Sequence, residues 1–108
     1  MTNDDHTLAD LLLAIEAELR ALGLWEATPP PAEAMQSLVP FCHDTLSFPQ
    51  WLQWVFLPRM KRVLESGEGM PASSDIQPLA EYALQDHPAD VQALLSAIAR
   101  FDAFIQRR

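Results

Sequence analysis

A chain of 108 residues, 49% of them hydrophobic and 20% charged, has the length of one domain and enough apolar material to bury about 65% of the surface its unfolded form exposes. Its 15 acids outweigh 7 bases for a net charge of −8, and the imbalance sits at the front: through Gln50 there are eight acids and one base, Arg20. Such a charge repels phosphate backbones and anionic lipid heads, which argues against direct nucleic-acid binding, while a single cysteine, Cys42, excludes an internal disulfide and points to a reducing, cytoplasmic compartment.

The acidic start, Asn3-Asp4-Asp5, lacks the basic and then apolar character of an export signal. Leu8, Leu11, Leu12, Ile15, Leu19 and Leu22 then recur at helical spacing, which predicts a first helix over about Leu8–Leu22 with Thr7 as its N-cap. Glu16 and Arg20 form an i,i+4 pair in the favourable order, and Gly23 suits the left-handed residue that follows a helix end. Thr28-Pro29-Pro30-Pro31 reads as an extended spacer. Met35, Leu38 and Val39 share a face of a short helix over about Ala32–Val39, which Pro40 stops.

Phe48 to Met60 holds four of the nine aromatic residues. Ser47-Phe48-Pro49-Gln50 has the spacing of a capping box, so a third helix is predicted from Phe48 to about Ser66, ended by Gly67 and Gly69, with Pro58 inside it. At about 100° per residue, Phe48, Leu52, Val55 and Phe56 share one side, whereas Met60, Val63 and Leu64 lie roughly a quarter turn away. A helix kinked at Pro58, with its halves on different neighbours, accounts for that offset. Ser74-Asp75-Ile76-Gln77 repeats the capping-box pattern ahead of a helix over about Asp75–Gln85, with Pro78 in its first turn. After Asp86-His87-Pro88, the residues Val91, Leu94, Leu95, Ile98, Phe101 and Ile105 line a last helix reaching about Gln106.

The predicted fold is therefore all-α: four main helices and one short helix in a small bundle, the central helix kinked at Pro58, within one domain over 1–108. No strand pattern is present, and the densest apolar run, Trp51 to Leu57, falls far short of the ~20 residues a membrane span needs.

Signatures of chemistry are weak. Cys42-His43-Asp44 offers nucleophile, base and carboxylate, but adjacent side chains diverge, whereas catalytic relays converge from distant segments; the better reading is a loop in which Asp44 or Thr45 helps cap the third helix. His6, His43 and His87 lack the spacing of helical metal ligands, and three glycines form no phosphate-cradling loop. The sequence therefore predicts no catalytic residue, no metal and no cofactor. Arg59, Lys61 and Arg62 mainly complement a helix C-terminal half, although Arg59 projects near the face of Phe48, Leu52 and Val55, where a buried Asp44 is a candidate partner. Trp54 and Leu57 share the side of Gln50 and Lys61, which makes Trp54, Leu57 and Arg59 the candidate contact surface.

Several pieces of the chain resemble the YqcC-like family of small bacterial proteins. They are Ile15 to Arg20 with Trp25, Pro40-Phe41, Asp44-Thr45, Trp51-Leu52-Gln53-Trp54-Val55 and Leu57-Pro58-Arg59-Met60, then Ile76, Pro78, Glu81, Asp86-His87-Pro88 and Phe101-Asp102-Ala103-Phe104. The resemblance implies a compact helical bundle in the bacterial cytoplasm, and an association by gene proximity with a tRNA pseudouridine synthase. It brings no catalytic residue. The leading functional expectation is a non-enzymatic module acting through a protein partner or as a homodimer. The alternatives are a small-ligand or nucleotide-binding regulator, with a pocket beside Pro58 where the Trp54 carbonyl is free, and an accessory to tRNA modification.

Overall fold

The computed structural model describes residues 3–67 and 69–107, and among them it is all-helical, with no strand. Helix α1 spans Asn3–Ala21 and buries the predicted stripe of Leu8, Leu11, Leu12, Ile15 and Leu19. It begins a full turn before Thr7, with Asp4 and Asp5 in the first turn, where carboxylates complement the exposed amides; Thr7 is thus inside the helix and not its cap. Its end is the predicted one. Gly23 is left-handed at φ +72°, the Leu24 N–H donates to the Leu19 carbonyl and the Gly23 N–H to that of Arg20, which satisfies the last carbonyls.

The proline spacer leads into two short 3-10 turns, Ala32–Gln36 and Pro40–Cys42, in place of one helix. Pro40 opens the second turn, and Leu38 between the two is fully exposed. Phe41 and Cys42 are both left-handed, at φ +60° and +51°, a conformation that costs about 1–2 kcal/mol for each side-chain-bearing residue. The surrounding contacts hold them there. Thr45 and Leu46 donate their N–H groups to the Cys42 carbonyl, and the Thr45 hydroxyl donates to the carbonyls of Ala34 and Cys42.

One rod follows, built of α2 (Phe48–Trp51), a π turn (Leu52–Phe56) and α3 (Leu57–Ser66). The Ser47 capping box is present with both bonds: Gln50 N–H to the Ser47 hydroxyl at 3.3 Å, and Ser47 N–H to Gln50 Oε1 at 2.9 Å. The helix does not break at Pro58. Instead the Leu57 N–H reaches back five residues to the Leu52 carbonyl, and Pro58, which has no N–H, follows directly. A π turn absorbs one residue more than an α turn, so everything after it is set back by about 100°, one residue's rotation. That is the quarter turn separating the two apolar faces in the sequence. Phe48, Trp51, Leu52 and Phe56 are thereby brought into line with Leu57, Met60 and Val63, all buried in one core.

Helix α4 spans Gln77–Leu84 and α5 spans Gln92–Gln106. The second predicted capping box does not form. Asp102 of α5 takes the role from outside: its carboxylate accepts from the N–H of Ile76 at 2.9 Å, from the N–H of Gln77 at 2.8 Å and from the Ser74 hydroxyl. Asp102 is 9% exposed, and its helical neighbour Gln106 donates to the Ser74 carbonyl, so two side chains of α5 grip the start of α4. Helix α5 packs against both α1 and α4, and α1 also meets α3. A chain of rings, Phe48, Trp51, Phe56 and Phe101, carries the core from the rod to α5, with centroid separations of 6.2, 5.4 and 4.9 Å.

Candidate interaction surface

Of the three residues assigned to a contact surface, Leu57 is withdrawn. It is 1% exposed, because the π turn rotates it from the outer side of a regular α-helix into the core. Trp54 is half-buried, and its indole N–H donates to Glu26 Oε1 at 3.2 Å. Arg59 is exposed, and the same rotation carries it off the apolar face. Its proposed partner, Asp44, is neither buried nor paired with it: Asp44 is exposed and accepts from the Ser37 hydroxyl at 2.6 Å. Neither Asp44 nor Thr45 caps the rod, since that position belongs to Ser47.

The polar feature that sequence reasoning missed centres on Glu26. Gln53, 4% exposed within the apolar run, accepts from the Glu26 N–H at 2.8 Å and donates to the Glu26 carbonyl at 2.7 Å. Gln50 and Trp54 donate to the Glu26 carboxylate. The signal was a glutamine amid core residues, which must find partners or bear a desolvation cost. Next to it, the Arg20 guanidinium lies 4.4 Å from the centroid of the Trp25 ring, and Glu16 pairs with Arg20 at 3.1 Å and Lys61 at 3.6 Å. These Glu26 contacts fasten the segment after α1 to the rod.

Cys42 is buried, with its thiol 3.9 Å from the Met35 and Ser37 carbonyls, whereas His43 and Asp44 point into the exposed turn. The three therefore do not assemble as a relay. Among the described residues, no three His, Cys, Asp or Glu side chains converge as a metal site would require, and no helix is long and apolar enough to cross a membrane.

Among the depressions of the surface, three bear on function. One, about 490 Å³, lies between α4 and α5 and is edged by exposed Glu81, Gln85, Asp90 and Gln92, so it is a solvated cleft. A cavity of about 250 Å³ beside α3 brings Phe41, Phe56 and Phe101 together with Arg59. The third, about 370 Å³, is an apolar groove between the turn at Phe41 and the outer face of α4; Leu46 and Phe48 form its buried part, and Tyr82, 73% exposed, stands at its lip.

Comparison with known proteins bears on this architecture as a whole. The solution NMR structure of YqcC from Escherichia coli matches 99% of this chain and 92% of its own, with a TM-score of 0.84 and 31% identity. In sequence, an uncharacterized protein of Haemophilus influenzae is 40% identical over 88 residues, 82% of each chain, and the uncharacterized protein YqcC of E. coli is 35% identical over 104 residues, 95% of this chain and 94% of its own. A protein of Pectobacterium carotovorum named tRNA pseudouridine synthase C is 47% identical over 69 residues, which are 64% of this chain and only 18% of that longer protein. Residues 7–104 match the model of the DUF446 family, described as tRNA pseudouridine synthase C. With that match and the near full-length likeness to YqcC, the chain belongs to the YqcC-like, DUF446 family.

Proposed function

We propose that this protein is a non-enzymatic helical interaction module of the cytoplasm, acting through a protein partner or a second copy of itself. The observation that carries the reading is the apolar groove beneath Tyr82, an aromatic residue left 73% exposed beside half-buried Phe41 and Leu79. Aromatic side chains in apolar depressions dominate the energetics of protein interfaces. Three of the more enclosed polar groups have structural roles that suit this reading: Asp102 caps α4, Glu26 is held by Gln50, Gln53 and Trp54, and Cys42 is buried. A reducing compartment suits that enclosed, unpaired thiol.

A second reading, an accessory to tRNA modification, is favoured by one observation. A stretch 47% identical to this chain occurs within a much longer protein named tRNA pseudouridine synthase C. Modules that occur both alone and joined to an enzyme often serve that enzyme, and the acidic chain is suited to meeting a protein and not the RNA.

Immobilised protein exposed to bacterial extract, with Tyr82→Ser as control, tests both. A specific protein retained by the wild type supports the module, and a tRNA-modifying enzyme among the retained proteins supports the second reading. A folded protein that retains nothing, stays monomeric at high concentration and shows a thermal shift with a metabolite panel refutes both in favour of a ligand-binding regulator.

A further inference from the structure

We propose that the groove between the turn at Phe41 and α4 is the docking site for a cationic amphipathic segment of a partner protein. The assignment rests on the interaction-module reading and adds to it the surface and the chemistry of what binds there.

Helix α4 has two apolar faces. Ala80 and Leu84 turn into the core, whereas Leu79, Tyr82 and Ala83, at i, i+3 and i+4, form an outer stripe in which Leu79 is half-buried against the core and Tyr82 and Ala83 are exposed. Opposite stands Phe41, whose left-handed backbone sets its ring edge-on to Trp51, with centroids 4.8 Å apart. Adjacent left-handed residues without glycine persist only where neighbours hold them, so this wall of the groove is fixed before anything binds. The side chains lining the groove present just two polar groups, the His43 imidazole and the Tyr82 hydroxyl, too few to orient a small molecule. An apolar trough with an aromatic lip is suited to the anchor residues of a helix lying in it.

Charge selects the partner. The charges next to the lining residues along the chain are acidic, with exposed Asp44 after His43, exposed Glu81 before Tyr82 and exposed Asp86 just past α4, while Arg59 shares the neighbouring cavity with Phe41. The surroundings therefore favour cations beside the apolar anchors and disfavour an anionic or neutral-acidic helix. Segments that are both basic and apolar are the kind that RNA-handling proteins present.

The probe is an 18-residue peptide of Leu and Lys with one Trp anchor, titrated into the ¹⁵N-labelled chain, alongside the same peptide with Glu in place of Lys. The Lys peptide is expected to shift resonances of residues 41–48 and 79–83, to bind more weakly as salt rises, and to lose at least tenfold in affinity in Tyr82→Ser, whose exposed position leaves folding intact. Equal binding of the Glu peptide overturns the assignment. So do shifts scattered over Asp4, Asp10 and Glu18 with Tyr82→Ser unaffected, or shifts at the groove on concentrating the protein alone, which make a second copy the occupant. A partner captured from extract equally well by Tyr82→Ser removes the groove and leaves the module reading standing; a wild type that captures none removes the reading itself.

Discussion

Gln53 pairs with Glu26 as one β-strand residue pairs with another, its side-chain amide meeting both the N–H and the carbonyl of the Glu26 backbone at 2.8 and 2.7 Å. The pairing spans 27 positions and joins the segment after α1 to the π turn. An apolar side chain at this depth leaves two backbone groups without partners.

Gln53→Leu is therefore expected to destabilise the protein by about 2–4 kcal/mol, since a buried donor and a buried acceptor each cost about 1–3 kcal/mol when abandoned. Urea unfolding followed by circular dichroism should show a lower midpoint with an unchanged slope. A loss under about 0.5 kcal/mol would mean that water replaces the amide and that the pair does not fasten the segment.

Trp54 and Glu26 should be energetically coupled through the 3.2 Å indole bond. Trp54→Phe and Glu26→Ala, measured singly and together, are expected to give a coupling of about 1 kcal/mol, in the range of hydrogen bonds to charged groups that keep some solvent contact. Strict additivity would return Trp54 to the pool of side chains free to contact a partner.

Asp102 is expected to matter more than Ser74. Asp102→Asn replaces one acceptor oxygen by a donor that faces the N–H groups of Ile76 and Gln77 or the Ser74 hydroxyl, whichever way the amide turns; the expected loss is about 2–3 kcal/mol, against about 1 kcal/mol for Ser74→Ala. Amide hydrogen exchange should accelerate first at Ile76 and Gln77, because α4 is only eight residues long and depends on this external cap. Uniform acceleration across α1 and α5 would instead make Asp102 a general core residue.

The two capping boxes show where sequence reading succeeds. Ser47 and Gln50 satisfy each other within four residues, so the pattern alone is enough. Ser74 and Gln77 have the same spacing, but Asp102 arrives from 26 residues downstream of Ile76 and offers a charged acceptor, which a neutral hydroxyl does not match. The helical stripes of α1 and α5 were legible because periodicity is local. The outward placement of Leu57 and the placement of Arg59 on the apolar face beside Asp44 failed for one shared reason: both assumed a strict α pitch across Phe48 to Ser66, and the π turn shifts every residue beyond it by one step. The quarter-turn offset between the faces was the visible trace of that extra residue, with Pro58 marking where the ladder lacks a donor. The groove beneath Tyr82 was not legible, since its walls meet only in the folded chain and depend on two left-handed residues that no composition rule announces.

The same reasoning makes the π turn testable by deletion. If it is one surplus residue that aligns two apolar faces, then removing Val55, which is half-buried, together with Pro58→Ala to restore the missing donor, should turn the rod into a regular α-helix with Phe48, Leu52, Met60 and Val63 still on one side. Removing exposed Arg59 instead turns Met60 and Val63 by about 100° away from the core and carries Lys61 into the buried position of Met60. The first variant should fold, with far-ultraviolet dichroism like that of the wild type and a loss of a few kcal/mol, about what trimming one partly buried side chain and shifting its neighbours costs. The second should lose the packing of Met60 and Val63 and unfold at markedly lower urea. Pro58→Ala alone should change stability by less than about 1 kcal/mol, because the faces and not the proline hold the register. Equal damage from the two deletions would show that the π turn is required for its own geometry, for instance to present Gln53 to Glu26, and not as a register correction.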